Sequence, residues 1–100
     1  MALRIQTAES LGGTRLAVSF NDGRVGYAEL SPLLKGPIFE ELLKPERFAQ
    51  FRLDPELGTV VWPNGADLAP EAIYFQAFHA KPELQELFQR WGYSSRCNQR

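Results

Sequence analysis

Few residues in this 100-residue chain have the chemistry that catalysis needs, which is a nucleophile, a base or a metal held among partners. The single histidine, His79, falls near the end of a predicted helix, where an imidazole suits the negative pole of the helix dipole. The single cysteine, Cys97, falls beside Arg96 in a polar tail that would not hold a nucleophile in place. We therefore expect no catalytic residues, no enzymatic activity and no cofactor.

Two acidic residues, Asp67 and Glu71, are spaced so that they could face one cation. A metal site needs further ligands, and the neighbouring sequence offers none. Asp67 also precedes a predicted helix, whose first amide groups a carboxylate can cap. The pattern therefore favours helix capping by Asp67 and predicts no metal site.

The segment WPNGAD, from Trp62 to Asp67, joins a strand-like run to a helix that begins near Pro70. Pro63 ends strand pairing, and Asn64-Gly65 supports a tight reversal of the chain. Two interpretations stay open, because the segment is either a joint that serves only the fold or a loop that recognises a partner. In the second case the recognition residues would be Trp62, Asn64, Gly65 and Asp67.

Four arginines fall on or beside predicted strands. If these strands adjoin, the guanidinium groups would share one face of the sheet and could contact phosphates. Solvated charge at the edge of a sheet is the alternative. The whole chain has 11 Lys and Arg against 12 Asp and Glu, and this balance argues weakly against a nucleic-acid module. The candidate nucleic-acid face consists of Arg4, Arg15, Arg24 and Arg52.

An apolar stripe follows one side of a helix predicted over residues 82–91. Its members recur at the spacing of one helical face. Such a stripe must be buried, either against the sheet of its own chain or against a second copy or another partner. The second alternative predicts a homodimer or a protein partner. The candidate interface consists of Leu84, Leu87, Phe88 and Trp91.

The remaining pattern predicts an α+β fold, in which a small, mostly antiparallel sheet of two hairpin units carries short packed helices and a C-terminal helix. Turn-forming residues at 21–23 and 54–58 predict the two hairpins. Helices are predicted over 38–43, 70–80 and 82–91. Alternation of apolar and polar residues predicts one shared buried face for Leu16, Val18, Phe20, Val25 and Tyr27.

The composition, 44% apolar and 12% aromatic, is typical of a folded globule. We expect one domain over residues 1–93 and a polar flexible tail over 94–100. The first ten residues lack the apolar core of a signal peptide, and no apolar run approaches the ~20 residues of a membrane helix. The single cysteine cannot form a disulfide within the chain. We therefore expect a cytoplasmic protein that does not associate with membranes.

Two long motifs resemble those of a known family. Residues 29–39, ELSPLLKGPIF, are similar to its run DLSPLL-x-GP-x-F. Residues 59–74, TVVWPNGADLAPEAIY, are similar to its run TVVWPNGADL-x-PE-x-LY, with Ile73 in place of leucine. The turn at 21–23 and Phe48-Ala49 also agree. Over residues 3–74 the chain therefore resembles the small bacterial domain-of-unknown-function family marked by a WPNGADL signature, and residues 75–93 would form a helical extension.

This resemblance implies a small α+β domain with no known reaction and no catalytic residues to carry over. Some members of the family continue into a helix-turn-helix domain, and others are encoded beside a second small protein, as toxin–antitoxin pairs are. We therefore predict an uncharacterised bacterial, non-enzymatic protein-interaction or regulatory module of antitoxin-like character. The alternative is a nucleic-acid-binding regulator that uses the arginine face.

Overall fold

The computed structural model describes residues 2–93, so the tail predicted over 94–100 lies outside the described residues. The strands in this part of the chain are β1 (Ile5–Ser10), β2 (Arg15–Phe20), β3 (Val25–Glu29), β4 (Arg52–Asp54) and β5 (Thr59–Val61). They form a three-stranded sheet of order β1-β2-β3 and a separate two-stranded sheet, and every pairing is antiparallel. The α+β prediction is confirmed.

The α-helices described between residues 2 and 93 are α1 (Pro37–Glu40), α2 (Pro45–Phe48), α3 (Pro70–Phe78) and α4 (Gln85–Trp91). The first three begin with proline, whose missing amide hydrogen costs nothing at that position. Single turns of 3₁₀-helix lie at Ser31–Leu33, Glu41–Leu43 and Pro82–Leu84. The helices predicted over 38–43 and 82–91 are therefore each part α-helix and part 3₁₀-helix. None of the helices described here is both long enough and apolar enough to cross a membrane.

The turn between β2 and β3 has three residues, 21–23, and it decides which side chains are buried. The Phe20 amide donates to the Arg24 carbonyl at 3.0 Å, and Gly23 takes the left-handed φ of 91° that closes the turn. Pairing from this closure places Val18 opposite Gly26. Successive residues of a strand point to opposite faces, so the length of the turn sets the facing of the whole of β3.

The prediction that Val25 and Tyr27 share the buried face was wrong. They are 71% and 70% exposed, while Ala28, opposite Leu16, is buried. The expected face would have required a pairing shifted by one residue, and such a shift exchanges the two faces of a strand. The odd length of the turn therefore brings Gly26 and Ala28 into the interior and leaves two large apolar side chains outside.

Gly26 provides the space into which α3 packs. A Cβ atom at this position would lie 2.6 Å from Cε1 of Phe78, whose ring packs edge-on against Phe20 and Tyr74 with centroid separations of 5.9 and 4.8 Å. Phe20 and Tyr74 are also in edge-on contact, at 4.9 Å. Burying each such side chain contributes about 1.5–3 kcal/mol, so this aromatic cluster is a main source of the attachment of α3 to the sheet.

The two-stranded sheet is held against β1. The Ile5 amide donates to the Gly58 carbonyl at 2.8 Å, which continues hydrogen bonding from one sheet to the other. Asp54 organises the intervening turn, because its Oδ1 accepts from the amides of Glu56 and Leu57 at 2.8 and 3.1 Å. The hairpin of β4 and β5 thereby positions the WPNGAD segment that follows β5.

Candidate functional site

Trp62, the first residue of the candidate recognition loop, is part of the core. It is 3% exposed, and its Nε1–H donates to the Phe48 carbonyl at 2.8 Å. The indole also lies against the rings of Phe48 and Phe51, at centroid separations of 5.5 and 6.5 Å. Both the apolar body and the polar tip of this tryptophan therefore have partners within the chain, and neither is available to a ligand.

Asn64 connects the loop to the preceding helices. Its Nδ2 donates to the Ile38 carbonyl and to Oε1 of Glu41, both at 2.9 Å, and its Oδ1 accepts from the Ala66 amide at 3.0 Å. Gly65 has the φ of 92° that the turn requires. The cavity beside the loop has a volume of only about 40 Å³, far below the ~300–1,000 Å³ that is usual for small-ligand sites. These contacts favour the interpretation of WPNGAD as a joint.

Asp67 does not cap α3, and the capping prediction was wrong. The N-cap residue of α3 is Ala69, and no side chain caps that end. The backbone of Asp67 instead pairs with Val61 in an isolated bridge, so the chain is still extended at this point and its side chain is exposed. Thr59 stabilises the same segment, because its buried Oγ1 donates to the Leu68 carbonyl at 2.6 Å.

The apolar stripe of the C-terminal helix is largely buried within its own chain. Phe88 is fully buried and Leu84 is 7% exposed, which leaves these two members of the candidate interface inaccessible to a partner. The Phe88 ring packs edge-on against Phe75 at 4.9 Å. Leu87 and Trp91 are half-buried at the rim of the core. Of the two alternatives for the stripe, the structure therefore favours closure of the chain's own core.

Each arginine of the candidate nucleic-acid face has an acceptor within the chain. Arg15 lies 3.8 Å from Glu29, Arg24 lies 3.3 Å from Glu83, and Arg52 lies 3.8 Å from Asp54, all measured between charged atoms. The Arg4 guanidinium donates to the Pro55 carbonyl. Exposed ion pairs of this kind are worth only about 0–1 kcal/mol, so they would not by themselves prevent contact with a phosphate.

Whether the four arginines could contact one nucleic acid together depends more on their positions in the fold than on their partners. Arg15 begins β2, whereas Arg24 follows the turn at its other end. At ~3.3 Å per residue, the six residues of β2 separate these ends by roughly 17 Å. Arg52 belongs to the other sheet. Arg15, Arg24 and Arg52 therefore start from three separate parts of the two sheets, which does not favour one shared arginine face.

A cleft of about 480 Å³ lies between the β2–β3 turn and the C-terminal helix. Its volume falls within the ~300–1,000 Å³ that is usual for small-ligand sites. The lining combines apolar side chains with two carboxylates. The lining residues are Ala2, Leu3, Asn21, Asp22, Glu71, Tyr74, Leu87 and Trp91.

Tyr74 and Asp22 form the best-defined polar contact of the cleft. The tyrosine hydroxyl donates to Oδ2 of Asp22 at 2.6 Å, and Oδ1 of the same carboxylate accepts from the Arg24 amide at 2.9 Å. Burial, followed by the hydrogen bond and charge of Asp22, raises the pKa of Tyr74 to about 12. Tyr74 is therefore a neutral hydrogen-bond donor at physiological pH and not a base.

Glu71 is the second acid of the cleft and lies one turn before Tyr74 on α3. Within residues 2–93, no hydrogen bond or ion pair engages its half-buried carboxylate. Trp91, on α4, brings its indole within 5.8 Å of the Tyr74 ring, measured between centroids. The cleft thus combines an aromatic wall, an unpaired carboxylate and a fixed hydroxyl–carboxylate pair.

The residues considered for catalysis lie elsewhere. His79 is the exposed residue after α3, next to the ring of Phe75. Cys97 lies outside the described residues. Between residues 2 and 93, no group of three or more His, Cys, Asp or Glu side chains could hold a metal ion.

The sequence could have indicated the residues of the cleft only in part. The spacing from Glu71 to Tyr74 places both on one face of a helix, which the sequence shows. Asp22, however, is 52 residues away from Tyr74, and a turn-forming aspartate carries no signal for a contact at that distance. The contact depends on how α3 crosses the sheet, which follows from packing.

The sequence matches the family described as "Protein of unknown function (DUF2442)" over residues 5–79. Among the solved structures, the chain is similar to the crystal structure of the "putative DNA binding protein NE0471" from Nitrosomonas europaea, with 21% identity and a TM-score of 0.69. The similarity covers 94% of this chain but only 64% of that protein, so the chain spans less than two thirds of its relative. At this identity the likeness concerns the fold alone. No match was found among the curated proteins.

Two substitutions in one loop distinguish a joint from a recognition loop. Asn64→Ala removes three hydrogen bonds and leaves the Ile38 carbonyl without its donor, so we expect the free energy of unfolding to fall by about 1–3 kcal/mol. Asp67→Ala, the matched control, should change it by less than about 0.5 kcal/mol, because the side chain is exposed and caps no helix. Denaturant titration of both variants measures the difference. Equal losses would contradict the assignment.

The tyrosine in the cleft gives a pH-dependent signature. Unfolded, Tyr74 ionises near pH 10, and folded it ionises near 12. The unfolded chain therefore loses this proton first, and the contribution of Tyr74 to stability should be complete below pH 10 and decline as the pH rises towards 12. Absorbance titration of tyrosinate should show a late step that Tyr74→Phe removes. A late step that persists in this variant would belong to another residue.

Proposed function

The chain belongs to the DUF2442 family of proteins of unknown function, and we propose that it is a non-enzymatic module that binds a partner protein through the outer face of its three-stranded sheet. We use the term outer face for the side of β1, β2 and β3 that points away from α3. Its central and flanking residues are Glu9, Arg15, Ala17, Val25, Tyr27 and Glu29.

The exposure of Val25 and Tyr27 carries this proposal. These side chains are 71% and 70% exposed and stand two positions apart on the same face of β3. Strand pairing places Ala17 opposite Tyr27, which adds a third apolar group. Large apolar side chains grouped on a surface are typical of interaction sites, whereas scattered ones need no explanation.

Charged residues flank this apolar centre on two sides, and the polar pair Thr7 and Ser19 lies beside Val25. Glu9 pairs across the sheet with Ala17, and Arg15 pairs with Glu29 at the end of β3. An apolar centre with a charged rim is the usual arrangement of a protein–protein interface. β3 is also an edge strand, so a partner could pair with its backbone as well as cover its side chains.

The absence of enzymatic activity is part of the same proposal. A base or a nucleophile requires partners that hold and activate it. The clearest shifted group of the cleft, Tyr74, has its pKa moved away from the physiological range, which suits a structural hydrogen bond better than proton transfer.

Antitoxin-like behaviour would give this interface a specific partner. The resemblance implies that some members are encoded beside a second small protein, and an exposed apolar sheet face is a surface that such a protein could cover. Self-association would use the same face, since two of the four residues first considered for a dimer are buried.

Substitutions on the outer face test the proposal. Val25→Ser with Tyr27→Ser should abolish binding to a co-purifying partner protein, or dissociate a homodimer, while leaving the fold intact because both side chains are exposed. Leu57→Ser is the control, since Leu57 is 53% exposed in the turn between β4 and β5, away from the outer face. Light scattering after size exclusion, with and without the co-purifying protein, measures the assemblies. Unchanged assembly of the double variant would exclude the outer face.

Nucleic-acid binding is the second candidate, favoured by the similarity in fold to the Nitrosomonas europaea protein described as a putative DNA binding protein. Gel-shift titration at increasing salt tests it, because phosphate contacts release counterions and weaken steeply with salt. The partner-protein proposal predicts no such salt-dependent complex. If a complex forms, neutralising Arg15 and Arg24 should lower its affinity and its salt dependence.

A further inference from the structure

The cleft between the β2–β3 turn and α4 has a chemical character of its own, separate from the outer face. Its lining contains two carboxylates, Asp22 and Glu71, and no lysine, arginine or histidine. An aqueous cleft lined by one sign of charge attracts ligands of the opposite sign. The electrostatics therefore favour a cation.

The two carboxylates are not equivalent. Asp22 already accepts hydrogen bonds from the Tyr74 hydroxyl and the Arg24 amide, and the Arg24 guanidinium lies 3.9 Å away. Glu71 has no partner within the described chain, and its side chain is half-buried, which limits its access to water. The carboxylate that can still accept charge-assisted hydrogen bonds is therefore Glu71.

The apolar wall favours a particular kind of cation. Trp91 is half-buried, and Leu3 and Leu87 continue the apolar lining beside it. An indole attracts a cation placed over its face, and aliphatic side chains accommodate an alkyl stem. A planar guanidinium can both stack on an indole and engage a carboxylate with two parallel donors, which an ammonium group cannot do.

We propose that this cleft binds an alkyl guanidinium, the group of an arginine side chain, with Glu71 as its counter-ion and Trp91 as its stacking surface. The Tyr74–Asp22 pair forms the floor and keeps the β2–β3 turn in place against α3. The group can come from an arginine in a partner chain or from a small free guanidine, and both have the same chemistry.

Titration of the full-length, isotopically labelled protein followed by NMR tests this assignment. The probes are N-acetyl-arginine amide, agmatine as a free guanidine, and N-acetyl-citrulline amide as a neutral analogue of the same shape. The first should shift the indole N–H signal of Trp91 and leave that of the buried Trp62 unchanged. If only agmatine shifts the signal, the guanidinium group comes from a small free guanidine. If agmatine and N-acetyl-arginine amide both shift it, an arginine side chain of a partner chain can also supply the group. Equal shifts with citrulline would overturn the role of charge.

A pair of matched variants isolates the counter-ion. Glu71→Gln should weaken binding of N-acetyl-arginine amide by roughly tenfold or more, since a charged hydrogen-bond partner is lost. Glu46→Gln is the control, because Glu46 follows the first proline of α2 as Glu71 follows that of α3, and it should change nothing. Equal effects of the two variants would refute the site.

The chain contains two further arginines that could compete for the cleft, Arg96 and Arg100, both outside the described residues. The titration is therefore repeated with an Arg96→Gln/Arg100→Gln variant. Saturable binding in either background, with the expected loss in Glu71→Gln, supports the proposal. Absence of any shift of the Trp91 signal in both backgrounds would exclude it.

Discussion

The contact between Gly26 and Phe78 is the constraint on which the rest of the structure depends. A side chain at position 26 would occupy the space of the Phe78 ring, so α3 can pack closely on the sheet only where β3 has a glycine facing inward. Phe78 in turn packs on Phe20 and Tyr74, which are themselves buried. Because cores are packed as tightly as organic crystals, moving one of these rings would require all of them to move.

The same constraint produces both candidate surfaces. If Gly26 faces inward, its neighbours Val25 and Tyr27 must face outward, and the apolar outer face is the direct result of strand alternation. The close approach of α3 also brings the Tyr74 hydroxyl to Asp22 in the turn, which forms the floor of the cleft. The exposed apolar face and the acidic cleft lie on opposite sides of the sheet, and both follow from the packing of Phe78 on Gly26.

Local sequence signals predicted the helices and strands well, but they predicted less well which side chains of a strand face the core. The turns, the prolines at helix starts and the apolar stripe of α4 each act over a few residues, and the α+β fold inferred from them is confirmed. The facing of β3 depends on whether the turn has two or three residues, which Asn21-Asp22-Gly23 alone does not decide. The capping role assigned to Asp67 was wrong because the backbone remains paired with Val61 there, two residues before the helix begins. The cleft could not be predicted, since it depends on contacts between residues distant in sequence.

The motifs that carry the family resemblance are mostly structural in this chain. Trp62 and Asn64, at the centre of the WPNGAD segment, use their polar groups for hydrogen bonds to Phe48, Ile38 and Glu41, which tie the loop to the short helices. Residues engaged in this way identify the fold but leave few atoms free for a ligand. The WPNGAD segment therefore serves mainly the fold, whereas Asp22, Glu71 and Tyr74, which belong to the other stretches that carry the resemblance, line the cleft. A loop whose polar groups are occupied in this way identifies a fold without indicating a reaction.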